Sequence, residues 1–144
     1  MKSTVLIDTN IILDFLLHRP PFYDEANHIM TLCAKKQIEG YIAFHSISNL
    51  YYILRKYTTE EQRRLLLHNL CNILTVTATS HQEVQNAIDH GEFKDFEDCL
   101  QDKCACFVNA NYIITRNIDD FAESETMAIS PSEFLHTLDS TNGK

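Results

Sequence analysis

Four aspartates in this chain, Asp8, Asp95, Asp98 and Asp120, are placed where carboxylates can do chemistry. Asp8 ends the apolar, β-prone run Val5-Leu6-Ile7 and is followed by two small hydrogen-bonding residues, Thr9 and Asn10. In parallel α/β sheets ligands bind beyond the carboxyl ends of the strands, so an acid at such an end faces chemistry rather than core. Taken alone, Asp8 serves equally well as the cap of a following helix. Asp95 and Asp98 open a second apolar stretch that continues through Leu100, Cys104, Phe107 and Val108. A spacing of three puts both on one face of a first helical turn, about 5–6 Å apart at Cβ, with Glu97 directed elsewhere. Asp119 and Asp120 follow Tyr112-Ile113-Ile114-Thr115-Arg116-Asn117, again an apolar strand running into polar residues.

Carboxylates brought within a few ångströms raise one another's pKa and oppose folding. A hard divalent cation removes that objection, because Mg²⁺ and Mn²⁺ prefer oxygen ligands and share their remaining positions with water or phosphate. The placement of this set at strand ends and a helix start therefore points to a cation site.

The elements that must position these acids alternate along the chain. A strand at residues 5–7 leads to a short helix at 11–17, and His18-Arg19-Pro20-Pro21 breaks the chain. Ala26, Ile29, Met30 and Cys33 sit at helical spacing within 24–36, and 41–44 reads as a second strand. Ser48 is expected to cap a helix reaching Lys56, and Thr59-Glu60-Glu61-Gln62 opens another running to about Asn72. A strand at 73–77 precedes a helix capped by Ser80, with Glu83 completing a capping box. Alternation of this kind means βα units and a largely parallel sheet covered on both faces. With 144 residues, 44% of them hydrophobic, and only three glycines, the chain can bury a self-sufficient core, and residues 1–144 read as one domain. No segment approaches the roughly 20 apolar residues of a membrane span, and a cytoplasmic protein is expected. The five cysteines form no Cys-x-x-Cys pair and are expected as buried free thiols. The seven histidines show no zinc-type spacing.

Residues 5–14 (Val-Leu-Ile-Asp-Thr-Asn-Ile-Ile-Leu-Asp), Ser46-Ile47-Ser48-Asn49-Leu50, Asp95-Phe96-Glu97-Asp98-Cys99-Leu100-Gln101 and Thr115-Arg116-Asn117-Ile118-Asp119-Asp120-Phe121 resemble, in order and separation, the four signature stretches of the PIN domain family. Ile129-Ser130-Pro131-Ser132-Glu133-Phe134-Leu135 is similar to the family's last strand and helix, so the resemblance covers nearly the whole chain. It implies a three-layer α/β/α sandwich around a mostly parallel sheet. It also implies a metal-dependent ribonuclease, in bacteria often the VapC-type toxin of a toxin–antitoxin pair. Asp8 then matches the first metal-binding aspartate and Asp98 the third acidic position, with Asp95 an extra acid one turn earlier.

Two positions depart from the family pattern: Asn49 stands where most members have a glutamate, and Asn117 where many have an aspartate. An asparagine can orient a water or a ligand, but it carries no charge and cannot act as a general base. Asp120, three residues on, is expected to supply the charge missing at 117. The expected activity is phosphodiester hydrolysis in single-stranded RNA, with Mg²⁺ or Mn²⁺ held by Asp8, Asp98 and Asp120 and Asp95 beside them. Thr9, Asn10, Ser46, Asn49, Thr115 and Asn117 would orient carboxylates and waters by hydrogen bonds. A small antitoxin protein is the expected partner.

Charge distribution bears on that reading. The net charge is −8, with ten acids against three bases between Asp89 and Glu125, and six bases against three acids between Cys33 and Asn72. Phosphate affinity comes largely from Lys and Arg, so an acidic protein is a poor non-specific binder of nucleic acid unless a bound cation inverts the local field. Arg55, Lys56, Arg63 and Arg64 are the expected grips on the RNA backbone. Arg116 is the most prominent basic residue beside the acids, either contacting RNA or pairing with Asp8 or Asp98. Tyr51, Tyr52 and Tyr57 can stack unpaired bases, but next to Leu50, Ile53 and Leu54 they are expected to pack in the core or across a homodimer face. Two other function classes compete. A phosphoacceptor domain needs a second acid beside its nucleophile and a lysine at a later strand end, whereas Asp8 is followed by Thr9 and Ile114 by Thr115-Arg116. A PIN-like module that binds RNA or a partner without cleaving it is the stronger rival, because of Asn49 and Asn117.

Overall fold

The computed structural model describes residues 2–89, 91 and 93–142. Of the expected 1–144 domain, Met1, His90, Glu92, Gly143 and Lys144 lie outside the described residues. Five parallel strands, β1 (Thr4–Ile7), β2 (Glu39–Ala43), β3 (Thr75–Thr77), β4 (Tyr112–Ile114) and β5 (Met127–Ile129), form one sheet in the order β3-β2-β1-β4-β5. The chain winds outward from β1 through β2 to β3, then crosses back to lay β4 on the other side of β1. The topological switch therefore falls between β1 and β4, where a doubly wound sheet opens a crevice at its carboxyl end.

Among the described residues, seven α-helices flank the sheet, α1 (Thr9–Leu16), α2 (Tyr23–Ala34), α3 (Phe44–Leu54), α4 (Glu60–Ile73), α5 (His81–Asp89), α6 (Phe96–Phe107) and α7 (Pro131–Asn142), with a short 3-10 turn at Ile118–Phe121. Side chains of a strand alternate between faces, and β1 divides accordingly. Val5 and Ile7 enter the larger core with Ile11 and Ile12 of α1, Ile29 of α2, Leu50 and Leu54 of α3, Leu70 of α4 and Phe134 of α7. Leu6 points the other way, into a smaller core with Ile113, Phe121 and, from α6, Cys104 and Ala105. This is the three-layer α/β/α sandwich, and the expected mostly parallel sheet is parallel throughout.

The structure differs from the sequence reading at Ser48, at the start of β3 and at two cysteines. Ser48 caps nothing: β2 runs directly into α3, which begins at Phe44 with Ala43 at its cap position, so Ser48 lies within the helix. The strand expected at 73–77 starts only at Thr75, because Ile73 ends α4. Cys71 is exposed on α4 and Cys106 is half-buried, whereas Cys33, Cys99 and Cys104 are buried; no disulfide joins any of them. The capping signals at Thr59 and Ser80 do start helices. Thr59 and Gln62 bond reciprocally, and Ser80 Oγ accepts from the backbone of Glu83. Among the described residues no helix is long and apolar enough to cross a membrane.

At Gly40, β2 packs tightly against α2 and the residue that ends α4. A Cβ there would stand 2.5 Å from Cys33 Sγ and 2.6 Å from Leu74 Cδ2. Both neighbours are fixed core atoms, so Gly40→Ala should lower stability by about 1–3 kcal/mol through overpacking. A urea midpoint that falls without a change in slope would bear this out.

Candidate active site

The site is assembled at the switch point, where β1 and β4 end and α6 begins. Asp8 terminates β1 and is almost fully buried. Its backbone carbonyl accepts from Ile11 and Ile12, but its side chain does not cap α1. Instead Oδ1 accepts from Gln101 Nε2 at 2.8 Å and Oδ2 from Thr115 Oγ1 at 2.8 Å. Thr115 Oγ1 in turn accepts from the backbone N–H of Asn117. One buried carboxylate thus fixes the ends of two strands to the middle of α6.

At Asp95 the capping role is real. Its Oδ1 accepts from the backbone N–H groups of Glu97 at 2.8 Å and Asp98 at 3.2 Å, which fixes where α6 starts. Asp98, one turn in, is half-buried and approached by Gln101 Nε2 at 3.5 Å. Gln101 therefore bridges Asp8 and Asp98 with one amide nitrogen, while its buried Oε1 has no partner. Sequence reasoning assigned Gln101 no role. The available signal was its spacing of three from Asp98, which stacks the two side chains on one helical face.

Glu97 corrects a second expectation. It does not point away from the shared face: it lines the same cavity as Asp95 and Asp98, and its Oε2 accepts from Asn49 Nδ2 of α3 at 2.8 Å. The helical spacing rule assumed Asp95 inside the turn, whereas Asp95 is the extended cap residue that precedes it.

The resulting cavity holds about 360 Å³ and is lined by five carboxylates, Asp8, Asp95, Glu97, Asp98 and Asp120. Asn10, Asn49, Asn117, Gln101 and Tyr52 complete its polar wall, and no lysine, arginine or histidine among the described residues lines it. The electrostatic consequence falls on Asp98. Burial, then the charges of Asp95, Asp8 and Asp120, push its carboxyl up from 3.8 to about 7, against a smaller opposing effect from the Gln101 hydrogen bond. Among the described residues no three Asp, Glu, His or Cys side chains yet converge closely enough to hold a metal ion by themselves.

The remaining candidates divide. Thr9 and Ser46 bond each other, Oγ1 to Oγ at 2.8 Å, tying α1 to α3 rather than orienting a carboxylate. Arg116 pairs with neither Asp8 nor Asp98. Its partner is Asp14, a fully buried acid of α1 that the sequence reading passed over, at 2.8 Å from Nε. Arg19 joins the same carboxylate at 2.9 Å, and Arg116 also lies over the Phe22 ring. The cation at 116 is therefore committed to anchoring the segment that carries Asn117 and Asp120. The tyrosines are not core: Tyr52 and Tyr57 are exposed, and Tyr52 lines the cavity with the Arg55 guanidinium 4.0 Å from its ring. Arg63 and Arg64 lie against Tyr51, Arg64 also bridges Glu60, and Lys56 is exposed just past α3.

Comparison with known proteins agrees with this geometry. A family model described as PIN domain matches residues 4–119, a span that holds every acid of the cavity except Asp120. The chain belongs to the PIN domain family. Solved structures share the PIN fold at low identity. VapBC2 from Rickettsia felis, bound to a DNA fragment from its promoter, is 20% identical with a TM-score of 0.64, over 89% of this chain and 98% of that one. VapBC-1 from nontypeable Haemophilus influenzae is 17% identical with a TM-score of 0.67, over 90% and 99%. FitAcB from Neisseria gonorrhoeae is 15% identical with a TM-score of 0.61, over 89% and 98%. No curated relative matches this PIN domain at the level of sequence.

The crowded acids make a testable statement about stability. Because the folded-state pKa of Asp98 lies above its ordinary value, ionising it opposes folding; the penalty is complete above about pH 7 and gone below about pH 4. In chelator, Asp98→Asn should melt above the parent at alkaline pH, and the advantage should shrink to nothing as pH falls toward 4. An advantage that does not change with pH would show that neither burial nor the neighbouring acids raise the Asp98 carboxyl.

Proposed function

We propose that this PIN domain, acting as a single domain over residues 1–144, is a Mg²⁺- or Mn²⁺-dependent endoribonuclease of single-stranded RNA and the toxin of a toxin–antitoxin pair. The observation that carries the reading is the cavity at the sheet's switch point, walled by five carboxylates with no cation among its described lining residues. Such a donor set suits a hard divalent ion, which prefers oxygen ligands and keeps several waters. Gln101 turns its Nε2 to Asp8 and Asp98 at the cavity wall, while its Oε1 is buried. No three acids among the described residues stand close enough in this structure to hold an ion by themselves, so some of Asp8, Asp98 and Asp120 would reach it through water.

Asp8, Asp98 and Asp120 would hold the ion, with Asp95 beside them on the α6 cap. When bound, such an ion polarises the scissile phosphate and lowers the pKa of a bound water. The chain's own residues do the positioning. Thr115 and Gln101 hold both oxygens of Asp8, so its carboxylate cannot rotate away from the cavity. Arg116, seated on Asp14, fixes the turn that presents Asn117 and Asp120. Tyr52 offers an exposed ring at the cavity wall on which an unpaired base can stack. Arg55, Lys56, Arg63 and Arg64 would draw in the RNA backbone along α3 and α4. A homodimer is the assembly we propose, and the VapBC complexes of like fold make a small antitoxin the protein partner to look for. A second reading, an RNA- or partner-binding module without cleavage, is favoured by the uncharged Asn49 and Asn117 in the cavity wall.

With Mn²⁺ the protein should cut single-stranded RNA, chelation should stop it, and Asp8→Asn should reduce the rate by more than about 100-fold, beyond the loss typical of residues that only orient ligands. No cleavage with any divalent ion across several RNAs selects the binding-module reading. Independently, the Arg63→Ala, Arg64→Ala double variant should weaken RNA binding and flatten the slope of log affinity against log salt by about 1–2. An unchanged slope places the RNA path elsewhere.

A further inference from the structure

Helix α3 holds residue 97 from two of its positions. His45 Nε2 donates to the backbone carbonyl of Glu97 at 3.2 Å, and Asn49 Nδ2 donates to the Glu97 carboxylate at 2.8 Å. Tyr52 follows Asn49 on the same helical face, one turn further on and about 5–6 Å away at Cβ. Asn49, Tyr52 and Glu97 all line the cavity. Tyr52 is 61% exposed, and the Arg55 guanidinium lies 4.0 Å from its ring centroid, so a cation covers one ring face and the other is open. An open aromatic face beside a groove is a platform for an unpaired base, and the guanidinium behind it supplies positive charge for the strand.

The charges that raise the Asp98 carboxyl are those of Asp95, Asp8 and Asp120, so Glu97 stands apart from the aspartates although it lines the same cavity. Its carboxylate has about four lone-pair sites, and the Asn49 bond takes one of them. Glu97 therefore offers a base on Tyr52 a pair of acceptors, held still by α3. Among the four RNA bases only guanine presents two adjacent donors, N1–H and the N2 amino group, on its pairing edge. Adenine and cytosine set a donor beside an acceptor, and uracil sets one donor between two acceptors.

We propose that Tyr52 and Glu97 form a guanine subsite at the mouth of the cavity: the base stacks on the open face of Tyr52 and donates N1–H and N2–H to the Glu97 carboxylate, which His45 and Asn49 hold in place. The proposal rests on the reading of the site as one that takes single-stranded RNA, and deepens it by naming the base beside the cavity.

Fluorescence anisotropy of labelled uridine hexamers, with one position left as uridine or replaced by guanosine, adenosine, cytidine or inosine, tests this in chelator, where nothing is cut. The guanosine hexamer should bind about five- to tenfold tighter than the uridine, adenosine and cytidine ones. Inosine keeps N1–H and lacks the N2 amino group, so it should lose most of that gain. Tyr52→Ala should cost at least about fivefold in affinity for the guanosine hexamer, and Tyr52→Phe should restore it. Glu97→Gln presents one acceptor and one donor, which suits the adenine edge, so the preference should pass from guanosine to adenosine. A glutamate with a purely structural role would not change the ranking. Melting curves of the variants in chelator check that each is folded. If the four bases bind alike, or if Glu97→Gln leaves their order unchanged, the guanine assignment is overturned. If Tyr52→Ala binds as the parent does, the stacking platform is overturned, and binding of none of the hexamers overturns the subsite as a whole. The ribonuclease reading is judged separately with Mn²⁺: cleavage without base preference leaves it standing and sinks the subsite, and guanosine preference without cleavage does the reverse.

Discussion

Everything at the carboxyl edge of this sheet depends on one buried carboxylate being held at both oxygens. Asp8 has no freedom: Gln101 takes Oδ1 and Thr115 takes Oδ2. A charged group taken out of water is costly unless its hydrogen bonds are replaced, and truncating a partner leaves that cost exposed. The three elements that meet at Asp8 are thereby required to meet. β1 supplies the acid, β4 supplies the hydroxyl, and α6 must approach closely enough for Gln101 to reach. That approach in turn carries Asp95, Glu97 and Asp98 to the cavity, because Asp95 sets the first turn of the same helix.

A second buried carboxylate performs the same kind of work behind the site. Asp14, further along α1 and outside the cavity, gathers Arg19 and Arg116. Asp102 has a like role on α6, accepting from the backbone N–H groups of Glu125 and Thr126 and so fixing the entry to β5. The chain thus uses its acids in two ways. Some are fully paired with cations or backbone amides and hold segments together. Others share a cavity with no cation among its described lining residues, and there they push the protonation of Asp98 upward.

Which acids belong to which group was only partly legible in the sequence. Asp8 was legible only together with the downstream acids, because alone an acid after a strand serves equally well as a helix cap. The α/β/α architecture followed from alternating periodicity, and Thr59 and Ser80 behaved as their capping chemistry dictates, whereas Asp95, read as part of the first turn, is its cap. Asp14 was not legible, since its arginine partners lie 5 and 102 residues away and only folding brings Arg116 to it. Glu97 was misplaced because helical spacing fixes relative angles within a helix, not which neighbouring wall the first turn faces. Ser48 misled for a related reason: a good capping residue caps only where the chain enters the helix, and the end of β2 decides that point.

The Asp14 ion pair gives the cavity a dependence that its own residues do not reveal. Arg116 is held by α1 on one side and lies over Phe22 on the other, and the next residues of the chain are Asn117 and the turn bearing Asp120. The placement of Asp120 is thus inherited from a contact outside the cavity that it lines. Drift at Arg19 or Phe22, positions with no chemistry of their own, would retune the cavity while leaving each of its acids in place.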